Sequence, residues 1–133
     1  MLVLTTTSIF FVDIQHTTPS EYPVIRSELV RMERSIPELI AHTCKEYNTD
    51  STLPLNIAWC ESNFNPSVKN ASSTATGIFQ FLESTWEENC VGDVLDPIAN
   101  IRCGVRLISS GGVGAWQESY SCWRYLPYKF PEL

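Results

Sequence analysis

The chain has 133 residues, 15 acidic against 9 basic side chains and a formal net charge of −6, with 44% hydrophobic and 18% charged residues. A chain of this size buries roughly two-thirds of the surface its unfolded form exposes, so a single domain with a real core is expected without disulfides or metals merely to fold it. The acidic balance, with no run of Lys or Arg, argues against nucleic acid as a partner, and no apolar stretch reaches the ~20 residues of a membrane-spanning helix.

Met1 to Val12 has a weakly apolar middle broken by Thr5, Thr6, Thr7 and Ser8, with no Lys or Arg before it and no small-residue cleavage site after it. It makes a poor signal peptide. Residues 13–23 collect turn formers without hydrophobic periodicity and read as a linker, so the expected organisation is a leader or linker over 1–23 and a folded domain over 24–133. From Val24 to Tyr47 apolar residues recur at helical spacing, giving two short helices. Pro37 falls in the first turn of the second, whose inward face is Ile36, Ile40 and Cys44.

Thr52 or Leu53 before Pro54 signals the next helix start, and Leu53, Ile57, Cys60 and Phe64 form one apolar stripe along it. That helix ends by Asn65, because Pro66 disfavours helical geometry in the residue before it. Ser67 to Thr76 is a polar surface loop leading into the apolar segment Gly77 to Phe81. Ser84 with Glu87 matches a capping box around Trp86, and Asp96 before Pro97 opens a helix with Ile98, Ile101, Val105 and Ile108 inward, stopped by Gly111 and Gly112. Nothing alternates as strand, so the class is mainly α with several short helices.

Five cysteines at positions 44, 60, 90, 103 and 122, without CxxC pairs, point to an oxidising compartment, and Cys90 with Cys103 would close a loop between two helices. The odd count leaves at least one thiol unpaired, and buried free thiols are the alternative. The cysteines and the poor leader disagree. An atypical leader, a truncated start or release by lysis would each reconcile them. His16 and His42 lack companions at zinc-ligand spacing, so no metal and no cofactor are expected. Ser109 to Gly114 lacks the Lys-Ser/Thr ending of a phosphate loop and reads as a turn, while Asn70-Ala71-Ser72 is a formal glycosylation acceptor.

Glu61 follows Ile57 by four residues and precedes Phe64 by three, so it projects from the edge of the apolar stripe. A carboxyl losing water there is pushed toward its protonated form, as general-acid chemistry near neutral pH requires; on the solvent side of Cys60 it would be an ordinary surface charge. Of the aromatic residues, Trp86 is assigned to the core, and Trp116 and Tyr120 to the wall of a groove.

The segments Glu61-Ser62-Asn63-Phe64-Asn65-Pro66, Ser72 to Phe81, Ser84-Thr85-Trp86, Asp96 to Ile101 and Trp116 to Trp123 resemble, in order and spacing, the transglycosylase SLT domain of lysozyme-like lytic transglycosylases. The resemblance spans about Ile36 to Trp123. It implies a lysozyme-like fold around a glycan-binding groove, with Glu61 as catalytic acid and base, Gln80 lining the groove with Phe81 beside it, Ser72 or Ser73 near the glutamate, and Tyr120 on the far wall. Thr74 departs from the family, which usually has Gly there, and only ten residues follow Trp123.

The implied reaction cleaves the peptidoglycan bond between N-acetylmuramic acid and N-acetylglucosamine, with a 1,6-anhydro product and one essential carboxyl. The candidates for a second carboxylate, the usual partner in glycoside hydrolysis, are Glu83, Glu87, Glu88, Asp93 and Asp96, each of which has a capping or solvated explanation. A hydrolytic lysozyme of the same fold is the nearest alternative, and a non-catalytic cell-wall-binding or growth-signalling module is the alternative of another class. The expected partner is peptidoglycan, the expected state a monomer, and the expected location secreted or in the cell envelope, with virion association or release by lysis as variants.

Overall fold

The computed structural model describes residues 34–126; the expected 1–23 leader or linker, the first helix after Val24 and the boundary between residues 23 and 24 lie outside the described residues. The first described helix, α1 (Ile36–Glu46), starts where Glu38 accepts hydrogen bonds from the backbone N–H and the hydroxyl of Ser35, both at 2.7 Å, with Pro37 in the first turn. Its buried residues are Leu39, Ile40, Thr43 and Cys44. They pack against α4 (Pro97–Ser109), whose face of Ile101, Val105 and Ile108 is buried as the spacing requires.

Between α1 and the C-terminal part of the domain runs α2 (Thr52–Ser62), which contacts α1, α4, the 3₁₀ helix η1 (Val113–Ser119) and the four-residue α5 (Tyr120–Trp123). The single-stripe expectation is corrected here. Pro54, Leu55, Asn56, Ile57, Ala58 and Ser62 are all buried, so α2 is enclosed on several faces, while Leu53, Cys60 and Phe64 are only half-buried. Its start is also earlier than expected: Thr52 N–H donates to Asp50 Oδ1 at 2.9 Å, and Pro54 is its third residue. After Ser62 the backbone turns sharply through two consecutive left-handed residues, Asn63 (φ 51°) and Phe64 (φ 62°).

The segment from Asn65 to Leu82 forms no strand. It folds back through isolated antiparallel bridges, Lys69 with Thr76 and Thr76 with Phe81. Its apex is pinned from α4: the buried Asn100 accepts from Phe79 N–H (3.0 Å) and donates to the Val94 carbonyl (2.8 Å). The Phe79 ring rests on Gly104, where any Cβ would come within 2.5 Å of it.

Helix α3 (Glu83–Asn89) buries none of its residues. The Ser84–Glu87 capping box does not form, because the helix begins one residue before Ser84; the N–H of Glu83 donates to Thr74 Oγ1 at 3.1 Å. Trp86 is half-buried at the core margin, edge-on to Phe81 with its Nε1 donating to the Gly92 carbonyl. The end of α3 is tied to α4 by the Cys90–Cys103 disulfide and by a bond from Arg106 to the Asn89 carbonyl.

Asp96 caps α4 through Ile98 N–H (3.1 Å), as its position before Pro97 predicts. The helix closes in a Schellman arrangement: Gly112 N–H donates to the Leu107 carbonyl, Gly111 N–H to that of Ile108, and Gly111 takes φ +89°. A second disulfide, Cys60–Cys122, ties α2 to α5, and Cys44 is the buried free thiol. No helix among the described residues is long and apolar enough to cross a membrane.

Candidate active site

Glu61 sits in the last turn of α2, where the left-handed residues that follow carry the backbone away. Its carboxyl is half-buried and lines a cleft of about 640 Å³, so it does not point into open solvent. One wall comes from the Asn65–Leu82 segment, through Asn70, Ser73, Ala75, Gln80 and Leu82. The other comes from Gly114 to Glu118 of η1.

The floor near Glu61 is fixed by Ser62, whose hydroxyl lies 2.7 Å from the Ile78 carbonyl and 3.2 Å from that of Ala58. The end of α2 is thereby joined to the turn that carries Gln80. On the opposite side Ser119 Oγ lies 2.5 Å from Glu61 Oε1.

Burial raises the Glu61 pKa above the ordinary carboxylate value; the Ser119 hydrogen bond opposes this, and the nearby Glu118 charge adds to it. The result is a carboxyl that keeps its proton to higher pH than a solvated glutamate.

Gln80 is held in the left-handed region (φ 50°), with its amide nitrogen donating to the Gly77 carbonyl (2.9 Å) and the Val68 carbonyl (3.2 Å). Both amide hydrogens are used by backbone. What Gln80 offers the cleft is therefore its Oε1, an acceptor.

Of the two loop serines only Ser73 lines the cleft; its Oγ accepts from Ala75 N–H, while Ser72 stays exposed with its N–H on Asn70 Oδ1. Thr74, where the resembling family usually has Gly, has a structural task, since its hydroxyl oxygen receives the first N–H of α3.

Phe81 and Tyr120 do not line this cleft. Phe81 is buried among Phe79, Trp86 and Trp116, because the antiparallel bridge to Thr76 turns its ring into the core. Tyr120 is half-buried, edge-on to Trp123 at 4.8 Å and covered by the Arg124 guanidinium. Trp116 does reach the cleft, but as the edge of a core residue 4% exposed: its Nε1 donates to the Phe79 carbonyl at 2.8 Å. The flat sugar-stacking wall expected from Trp116 and Tyr120 is therefore not presented.

Glu83 and Glu87 line a separate cavity of about 350 Å³ with Trp86 and Val94, and Asp93 and Asp96 cap local backbone. None of these lines the cleft, and neither does the exposed Glu88. The carboxylate that does line it beside Glu61 is Glu118. Glu118 and Ser119 are the residues that sequence reasoning passed over. They lie inside the Trp116 to Trp123 segment, but nothing local marks them, and the Ser119 contact with Glu61 spans 58 residues.

A mainly helical domain built round a buried helix that ends in a half-desolvated carboxyl, at a cleft of amides and hydroxyls, is consistent with the lysozyme-like all-α fold. The family model of the Transglycosylase SLT domain matches residues 38–112, more than half of the chain, and the chain belongs to that family. The match includes Glu61 and Gln80 and stops before the η1 wall. No curated protein and no solved structure matches the chain. The family's chemistry is transglycosylase-type cleavage of cell-wall glycan, with peptidoglycan as the substrate it implies. Two disulfides and a cell-wall substrate fit an extracellular or envelope location.

Proposed function

We propose that the protein is a lytic transglycosylase that cuts the bond between N-acetylmuramic acid and N-acetylglucosamine without consuming water. The observation that carries the reading is the half-buried carboxyl of Glu61 in the cleft, with burial holding it toward the protonated form. In the first half of the reaction Glu61 gives its proton to the glycosidic oxygen as the bond from that oxygen to the anomeric carbon breaks. In the second half the carboxylate takes the proton of the muramic acid 6-hydroxyl while that oxygen bonds to the same carbon. The glutamate ends protonated, as it began, and the product is a 1,6-anhydro sugar.

An internal nucleophile has a high effective concentration, so no group is needed to activate water. Gln80 supports recognition of an N-acetyl sugar in a particular sense: its free Oε1 suits the N–H of the acetamido group, whose carbonyl is left to stabilise positive charge at the anomeric carbon.

One observation favours the hydrolytic alternative. Glu118 lines the same cleft, and a second carboxylate is what activation of a water would employ. Digestion of purified peptidoglycan with mass analysis of the soluble muropeptides separates the two. Anhydro ends, lighter by one water, are expected; hydrated ends would assign a lysozyme. Glu61→Gln keeps the shape and removes the acid, so it is expected to abolish cleavage while glycan binding persists. Undiminished cleavage by that variant would overturn both readings.

A further inference from the structure

Ser119 makes two contacts with one proton. Its Oγ lies 2.5 Å from Glu61 Oε1 and 3.1 Å from the Trp116 carbonyl oxygen, and a hydroxyl can donate to only one of them at a time. An oxygen–oxygen approach of 2.5 Å also requires a proton between the two atoms, which either partner can supply.

The Trp116 carbonyl lies three residues before Ser119 in η1, whose backbone is non-helical at Trp116 (φ −113°, ψ 25°). The same carbonyl accepts the indole N–H of Trp123 at 3.0 Å. It therefore keeps a partner whichever way the Ser119 hydroxyl points. Turning that hydroxyl leaves no buried group orphaned, and the protonation state of Glu61 decides which orientation is favoured.

We infer that Ser119 is the positioning residue for Glu61, its hydroxyl proton turning from the Trp116 carbonyl to Glu61 Oε1 whenever the carboxyl gives up its proton and back again when the proton returns. The inference rests on the reading of Glu61 as the acid. With Glu61 protonated in the free protein, the carboxyl donates to Ser119 Oγ and the hydroxyl donates to Trp116; with substrate bound, the carboxyl proton turns from Ser119 Oγ to the glycosidic oxygen. As the glycosidic oxygen takes the carboxyl proton, the Ser119 hydroxyl swings onto the oxygen just vacated and steadies the new carboxylate through a charge-assisted bond. When the 6-hydroxyl proton arrives on Glu61, the hydroxyl swings back. Ser119 keeps its own proton throughout, so no net charge or atom is transferred through it. The other titratable group lining the cleft among the described residues is Glu118, whose negative charge disfavours the carboxylate that Ser119 favours.

The test compares Ser119→Thr with Ser119→Val, two side chains of the same shape of which only the first has a hydroxyl. Two readouts are taken: kcat/KM on peptidoglycan against pH, and the Glu61 carboxyl titration followed by carbon NMR in the free protein. Ser119→Val is expected to lower kcat/KM about 10- to 100-fold, the worth of one hydrogen bond to a charged group. It should also move the Glu61 titration to higher pH, with Ser119→Thr returning both toward the parent. An unmoved titration in Ser119→Val, or equal behaviour of the two variants, would overturn the inference. The NMR readout needs no substrate, so it stands apart from the reaction assigned. Retained cleavage in Glu61→Gln would sink the functional reading, whereas loss there with a fully active Ser119→Val would sink only the role of Ser119.

Discussion

Gly77→Ala tests whether the cleft wall depends on the turn that Asn100 pins. Gly77 sits at φ +81°, and a Cβ there would lie 2.3 Å from Asn100 Nδ2 and 2.8 Å from the Val94 carbonyl oxygen. The left-handed backbone costs a residue other than glycine about 1–2 kcal/mol. Pushing Asn100 aside breaks its bonds to Phe79 N–H and the Val94 carbonyl, and a buried group left unpaired costs about 1–3 kcal/mol more. A total loss of about 2–5 kcal/mol is expected, against the roughly 5–15 kcal/mol that holds a domain folded. Thermal unfolding followed by circular dichroism should show a drop of roughly 8–20 °C, at about 4 °C per kcal/mol.

Asn100→Ala removes the clashing amide, so the double variant should lose less than the two single losses added together. A loss under about 1 kcal/mol for Gly77→Ala, or strict additivity in the double variant, would refute the reasoning.

The pH dependence of stability has a definite sign at Glu61. Burial raises its folded pKa, so its stabilising contribution is present below the ordinary carboxylate range and is lost as pH rises through the folded value. Glu61→Gln should therefore melt higher than the parent at about pH 7, with the gap closing near about pH 4; equal melting at neutral pH would contradict this. Burial, with Asp50 adding to it, pushes the Cys44 thiol up to about 12, so a thiol reagent at mildly alkaline pH should label the unreduced protein only after denaturation. Stoichiometric labelling of the native protein would show that Cys44 is reachable. Removing the Cys60–Cys122 bridge, which closes 62 residues, should cost about 4 kcal/mol, against about 3 kcal/mol for Cys90–Cys103, which closes 13; chemical denaturation of the paired Ala variants would show the reverse order if strain dominates.

The features legible in the sequence are those written within a few residues. Asp96 before Pro97, the Gly111 stop and the inward face of α4 follow from local backbone chemistry, and the structure keeps all three. The pairing of Cys90 with Cys103 is of the same kind. Local rules failed where distant groups set the geometry. Ser84 and Glu87 form no capping box because the helix starts at Glu83, whose N–H donates to Thr74 Oγ1, and Ser84 lies inside it. Trp116, expected on the groove wall, is drawn inward by the Phe79 carbonyl, 37 residues earlier in the chain. Glu61 could be singled out from helical spacing and resemblance, but its partner could not: Ser119 stands in a short 3₁₀ segment without hydrophobic periodicity, outside the family match.

The Cys60–Cys122 bridge has a consequence for that partnership. Cys60 immediately precedes Glu61, and Cys122 stands one helical turn after Ser119. A four-residue helix such as α5 is far too short to hold itself together, since helices of this length are marginal in water. A covalent tether thus does at the rim of the site what a longer packed helix would otherwise do. The spacing between the acid and its hydroxyl neighbour is held by two sulfur atoms together with the buried indoles of Trp116 and Trp123, so it should tolerate wide drift in the solvent-facing residues nearby and loosen in a reducing environment.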